Sequence, residues 1–414
     1  MSTRIATDDT LRELVDAAEK IAHVIDPSVT VQRYGYRRAK NNSNPSDRIT
    51  YMYDAVGMTP AHMDFENDEF VWGDWKEFVE QIARPVMLKA NGTVDYELDH
   101  NNQTKKLDGT ASDIANTAYD GGAMVEFGKA FRWVKRWEDA ENEYVVFSNK
   151  KIDDSYKAYA HTGSDGEVKE AFYWGMFTGL NVSSKLKSIG SGAPMVSQTR
   201  ETEITYVKAI GAGWHTIYNS GWNYINDLLT LIGKSDNTQA VYGEGRSNSS
   251  NTAKIDNGTL KSKGCFWGDN GGVNGVKVLW IENHWGNIWQ GMAGLVLDGA
   301  NGFKVKNSKP YCDTPVSAAD WTGYTATGIV PGGTSGGHVS AEKVDENGYI
   351  PKTASGSATT YMCDGLWFNN GQLDYPLVGG SWNSGANCGS RYLRAINAPS
   401  AAYDYIGSRP SYIP

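Results

Sequence analysis

The sequence predicts an α+β fold, and three observations predict it. Short β-prone runs separated by turn residues fill the first 170 positions. One long, broadly apolar helical stripe follows at residues 214–232. Between them, from about residue 168, the texture shifts toward Gly, Asn and Trp. This reading divides the chain into an α+β N-terminal structural domain (1–170) and a C-terminal domain (171–414). With 414 residues the chain is long enough for two or three domains and at least one large core.

Taken in order, residues 8–26 predict a helix. Leu11, Leu14, Val15, Ala18, Ile21, Ala22 and Ile25 recur at helical spacing, Asp8-Asp9 suits a helix start and Pro27 a stop. Such a stripe either docks on its own domain or bundles with copies or neighbours. Residues 41–47 (NNSNPSD) form a loop by composition, residues 48–53 a short strand, and residues 72–82 a helix ending before Arg84-Pro85. Residues 86–98 predict a hairpin, VMLKA and TVDYEL about an Asn91-Gly92 turn. Further strands are expected at 123–127, 131–137, 144–147 and 172–177. In the stripe at 214–232, Trp214, Ile217, Tyr218, Gly221, Trp222, Ile225, Leu228, Leu229 and Ile232 share one wide face ended by Gly233, as in a helix buried against a sheet. Residues 247–275 read as loop, 276–289 as strand-turn-strand, 294–305 as another pair, and 328–340 as a Gly-rich loop.

The composition narrows function. Net charge is −9, and no basic stripe of the kind that grips nucleic acid is present. The basic clusters at Arg37-Arg38-Lys40 and 132–136 read as solvated edges. No run approaches the roughly 18 apolar residues of a membrane helix, so no membrane insertion is expected. No secretory signal is visible, so the product is expected to stay where it is made or to leave by lysis or assembly. The four cysteines, Cys265, Cys312, Cys363 and Cys388, lack CxxC spacing and are expected to stay reduced.

Catalytic sets are sparse. HExxH and P-loop motifs do not occur. The one GxSxG match, Gly333 to Gly337 about Ser335, lies in a glycine run, whereas a nucleophile elbow needs a strand before the serine and a helix after it. The seven histidines lie far apart in sequence, and His284 within ENHWGN reads as a hydrogen-bonded histidine in an aromatic core. No cofactor and no metal site is implied.

The informative segment is the last one. Gly379-Gly380 permits close backbone approach beside Trp382. Arg391 and Arg409 suit fixed positions where a guanidinium bonds several loop carbonyls. Between these anchors lie residues in no core-like period, and the candidate ligand-binding set is Asn383, Ser384, Ala386, Asn387, Tyr392, Arg394, Ile396, Asn397, Ser400, Ala401, Tyr403, Asp404 and Tyr405. Rigid anchors interleaved with Tyr, Ser and Asn have the composition of a paratope. By composition alone, an ordinary polar surface loop remains the competing reading.

The run GGSWNSGANCGSRYLRAINAPSAAYDYIGSRP resembles the variable region of retroelement-diversified phage-tail proteins of the major tropism determinant type. More distantly it is similar to the formylglycine-generating-enzyme family. Both imply a C-type-lectin-like fold for residues 171–414, with the variable region near 379–412. The phage-tail text RPVMLKANGTVDYELD, KKLDGTASDI and AMVEF extends the resemblance loosely into the N-terminal half. The resemblance implies a virion tail protein, made in the bacterial cytoplasm, that binds a host-surface protein or glycan as a homotrimer among other tail proteins. It implies that Gly379, Gly380, Trp382, Gly389, Arg391, Gly407 and Arg409 are fixed framework. Ser408 departs from the Phe of the enzyme-like members, and the paired cysteines of their copper site have no matching pair here, since Cys388 alone falls in the comparable stretch. A binding protein rather than an enzyme is therefore expected, with a purely structural tail or baseplate subunit as the alternative.

Overall fold

The computed structural model describes residues 30–307 and 323–414. The helix expected over residues 8–26, and Cys312, lie outside the described residues. Among those described, strand dominates at 34% against 12% helix, so the fold is mainly β rather than balanced α+β. The shortfall in the sequence reading comes from strands of two to four residues, such as Leu377–Val378 and Ile406–Gly407, which are too short for periodicity to register.

Two antiparallel sheets come largely from the N-terminal half. One places Arg33–Ala39 between Ile49–Tyr53 and Asn142–Ser148, with Trp133–Glu138 outermost. The second runs Trp214–Thr216, Pro410–Tyr412, Phe172–Gly175, Gly121–Phe127, Ala83–Lys89, Val94–Glu97. Its last two strands are the hairpin expected about Asn91-Gly92, where Gly92 takes φ 83° and the Lys89 and Thr93 backbones close the turn at 2.9 Å. This sheet draws strands from both sides of residue 170, because Phe172–Gly175 pairs with Gly121–Phe127, and the strand Pro410–Tyr412 lies between Phe172–Gly175 and Trp214–Thr216. The main core likewise joins Tyr36 and Trp75 to Trp280, Val339 and Leu393.

Four α-helices are described: α1 (Lys76–Ile82), α2 (Arg200–Lys208), α3 (Asn219–Gly233) and α4 (Thr238–Tyr242). The helix expected at 72–82 starts only at Lys76, after Trp75 turns into the core. The stripe expected from 214 is helical only from Asn219, since Trp214–Thr216 pairs with the C-terminal strand instead. All fifteen residues of α3 are buried. Its polar side is enclosed as fully as its apolar stripe, so its polar groups must find partners inside the protein. Asn226 donates to the Ser390 carbonyl at 2.9 Å, Ser220 to the Tyr159 carbonyl at 3.1 Å, and Asp227 receives Arg136 and Arg391 at 2.7 and 2.6 Å. Lys234, at φ 50°, rather than Gly233 supplies the left-handed stop.

The third large sheet is mixed and eight-stranded. A long hairpin, Gly337–Asp345 with Gly348–Gly356, carries Gly332–Gly333 on its outer edge and leads on the other side to Gly365–Phe368, Leu393–Ala395, Leu377–Val378, Trp289–Gly291 and Ile406–Gly407. Residues 337–340, expected as loop, are the start of this hairpin. The pairs expected at 276–289 and 294–305 both form, as Lys277–Val278 with Ile281–Glu282 and Leu295–Asp298 with Phe303–Val305.

The basic clusters need correction. Arg38 is 1% exposed and Arg136 6%, not solvated edges. Arg38 binds Asp236 through two nitrogens at 2.6 and 2.8 Å and Glu143 at 3.0 Å. Buried guanidinium groups persist only with such partners.

Candidate recognition surface

Close backbone approaches and buried guanidinium groups hold the C-terminal segment. Gly379 and Gly380 take φ 87° and 86°. A Cβ at Gly379 would sit 2.9 Å from the His284 carbonyl, and one at Gly380 2.9 Å from the Tyr392 ring. These glycines let the chain pass close to His284 and Tyr392, and Trp382 just after them is 7% exposed and anchored by its backbone to Asn287 and Asn251. Arg409 is fully buried and does what its type predicts. It donates to the carbonyls of Gly175 (2.8 Å), Glu282 (2.7 Å) and Asn283 (2.8 Å) and to Gln290 Oε1 (2.8 Å). Burial lowers its pKa to about 9, opposed by the Glu282 carboxylate. Arg391 differs, because its guanidinium pairs with Asp227 on α3 rather than with loop carbonyls, while its backbone N–H donates to Asp364 at 2.6 Å.

The candidate residues divide into three groups. Asn383, Ala386, Ser400, Tyr403 and Asp404 are exposed, with Tyr403 at 47%. Ser384, Asn387, Arg394, Ile396, Ala401 and Tyr405 are half-buried. Tyr392 and Asn397 are buried, so they are structural parts of the site and not surface. The Tyr392 ring packs 4.5 Å from Trp289, and its hydroxyl accepts the Trp367 indole N–H at 2.8 Å. Ser384 is turned inward too, its Oγ accepting the Ser381 N–H at 2.8 Å.

The structure gathers the second half of the set into one surface. Tyr403 and Tyr405 stack with centroids 5.2 Å apart and planes 7° from parallel. The Arg394 guanidinium carbon lies 5.5 Å from the Tyr405 ring and 5.8 Å from Trp289. Beside Arg394 in parallel register stands Trp367, 36% exposed. Polar backbone ties hold the loop between these groups: the Arg200 N–H to the Pro399 carbonyl (3.1 Å), Ser197 to Tyr403 (3.0 Å) and Trp289 to Tyr405 (2.9 Å). Residues 383–387 form a second lobe, where Gly385 donates to the Ser247 carbonyl at 2.6 Å and Asn251 and Lys254 reach Trp382. The arrangement offers flat aromatic faces, one cation and short polar groups on a rigid base, suited to binding by stacking and hydrogen bonds.

Trp367, Trp289 and the Ser197 to Glu203 stretch were not in the candidate set. Trp367 has a sequence signal in retrospect, since in GLWF the buried Leu366 implies by alternation that Trp367 faces out. Beneath the loop, Glu203 of α2 is buried beside Arg200 at 3.0 Å. Burial outweighs that pairing and raises its pKa to about 7.

Other chemistry-bearing residues stand as follows. Ser335 precedes a strand, Gly337–Asp345, not a helix, and its Oγ donates to the Phe368 carbonyl at 2.8 Å, so it is no nucleophile elbow. His284 is the core histidine expected, stacked 4.2 Å from Trp222 and bonded to Asn226 at 2.9 Å. Cys363 and Cys388 are buried thiols, and burial pushes both upward in pKa, away from the thiolate.

No protein-family model matches the chain, and no curated protein matches it. Three solved structures are similar in part: the Major Tropism Determinant U1 variant (TM-score 0.30, 14% identity, 80% of this chain and 72% of that one), the P3c variant (0.29, 12%, 93% and 72%) and the M1 variant (0.25, 16%, 80% and 72%). Among the described residues no helix is long and apolar enough to cross a membrane.

Proposed function

We propose that this chain is a receptor-binding protein of a phage or prophage tail, resident in the virion, which adheres to a host-surface protein or glycan. The observation that carries the reading is the stacked Tyr403-Tyr405 pair, with Arg394 over one ring and exposed Asp404 between the two in sequence, on a base locked by Arg409. Stacked tyrosines present large contact area at small entropic cost, and short polar residues around them adapt to a partner. The resemblance of residues 379–414 to retroelement-diversified variable regions points the same way. It supports a C-type-lectin-like arrangement of this end, a framework of fixed glycines and arginines, and interchangeable residues between them.

On this reading the chain binds rather than catalyses. Assembly as a homotrimer among other tail proteins would multiply a modest single-site affinity. The test is binding of the purified protein to host cells with Arg394→Ala and Tyr403→Ala, each checked by thermal melt. Lost cell binding with an unchanged melt supports recognition. Retained binding by both variants, or a monomer by light scattering at micromolar concentration, counts against the respective claim. If the variants bind cells normally but no longer assemble into tails, the chain is a structural subunit.

A further inference from the structure

A polar cavity of about 190 Å³ opens between the N-terminal four-stranded sheet and the long hairpin, lined by none of the residues 379–412. Arg48, Glu143 and Glu342 line its floor and belong to a buried charge cluster. Arg38 and Arg48 face three carboxylates there: Asp236, Glu143 and Glu342, with every one of these side chains at most 1% exposed. Glu342 Oε1 takes Arg48 at 3.2 Å and lies 3.9 Å from Arg38. Two guanidinium groups against three carboxylates would leave one negative charge uncompensated away from water, a cost that protonation of one carboxyl removes. Glu342, which lines the cavity, also carries a buried carboxylate oxygen, Oε2, with no hydrogen-bond partner among the described residues. Burial and the neighbouring Glu342 hold the Glu143 carboxyl well above the usual carboxylate range, as the missing positive charge requires.

The rim has the opposite character. Lys40 is bound to Glu138 at 3.0 Å and Lys343 to Asp345 at 3.0 Å. Lys352 also lines the cavity, is exposed, and has no partner among the described residues. An unmatched carboxylate oxygen at the floor and an unmatched ammonium at the mouth make a dipolar receptacle. We propose that this cavity binds a small zwitterion of the amino-acid class, its ammonium donating to Glu342 Oε2 and its carboxylate paired with Lys352. Such a ligand completes the buried cluster and ties the hairpin strands Gly337–Asp345 and Gly348–Gly356 to the N-terminal sheet.

The test is isothermal titration of the full chain with 4-aminobutyrate, butylamine and butyrate as probes. The expected result is 4-aminobutyrate binding at least about tenfold more tightly than either half-molecule. Lys352→Ala, at an exposed position that leaves the cluster intact, should remove that advantage and keep butylamine binding. Glu342→Gln, nearly equal in volume, should abolish binding of both amines. No binding of any probe to the wild-type chain overturns the proposal. So do equal affinities for 4-aminobutyrate and butylamine, and an undiminished advantage in Lys352→Ala; this last variant decides the matter if Glu342→Gln does not fold.

Discussion

Trp367 donates its indole N–H to the phenolic oxygen of Tyr392 at 2.8 Å, across 25 residues of chain. The contact joins an exposed aromatic face to a buried ring that packs on Trp289, so the two tyrosine classes in the last segment have different work. Tyr392 supports the surface, whereas Tyr403 and Tyr405 form it.

This division makes a direct prediction. Tyr392→Ala should cost roughly 3–5 kcal/mol of stability, as large aromatic truncations in a core do. Tyr392→Phe should cost only about 1 kcal/mol, the worth of one hydrogen bond. Tyr403→Ala should leave stability within about 0.5 kcal/mol and reduce host-cell binding instead. Urea denaturation beside a cell-binding assay separates the two, and equal destabilisation by Tyr392→Ala and Tyr403→Ala would sink the distinction.

The anchors were legible in the sequence where one residue's chemistry dictates its surroundings. Arg409 between Ser408 and Pro410 promised a guanidinium meeting several carbonyls, and it meets three. Gly379-Gly380 promised close approach, and a Cβ there would strike His284 or Tyr392. Tyr392 could not be assigned this way, because its burial is set by Trp289 and Trp367, which tertiary structure brings to it. Arg38 was misread for the same reason: its acids stand at positions 143, 236 and 342, far along the chain. The helix at 219–233 was visible as a stripe, but nothing local announced that its polar side would also be enclosed.

Replacing Arg409 tests whether the framework depends on the guanidinium shape or merely on charge. A lysine carries the charge but cannot span Gln290, Gly175, Glu282 and Asn283 together. Arg409→Lys should therefore destabilise the protein by about 3 kcal/mol or more, since charge-assisted bonds are lost and buried carbonyls are left unpaired. Binding at the recognition surface should fall with it, because Ile406–Gly407 lies two residues upstream in the same sheet as Trp289–Gly291. A melt unchanged from wild type would show that charge alone suffices.

Gly379→Ala probes the close approach by itself. The position holds φ 87°, and the added methyl would lie 2.9 Å from the His284 carbonyl and 3.2 Å from the Trp285 Cα, both backbone atoms with little room to yield. Strain in the left-handed region adds about 1 kcal/mol to that clash. A lowered denaturation midpoint is expected, whereas Gly385→Ala, at φ 60° with nothing within 4 Å, should show only the smaller conformational penalty. Equal losses from both would mean that the backbone conformation, not the contact, is what the glycine at 379 supplies.

Glu203 gives the surface a pH dependence whose sign is fixed by its burial. In the folded chain its pKa is raised to about 7 from an ordinary value of 4.5. The fold thus favours the neutral carboxyl, and the stability this confers is fully present below about pH 4.5. It is lost as pH rises through about 7, when the buried group ionises and Arg200 alone offsets the desolvation. The change is on the order of 3 kcal/mol over that window. Because Glu203 lines a small cavity with Asn397, Ala401 and Ile406, ionisation should be felt in the loop that carries Tyr403. Glu203→Gln keeps the neutral form at every pH. Its stability relative to wild type should therefore climb between pH 5 and pH 7.5 in paired urea titrations, with a parallel difference in ligand affinity. A difference that stays flat across that range would place the Glu203 pKa back near the ordinary carboxylate value and remove the coupling.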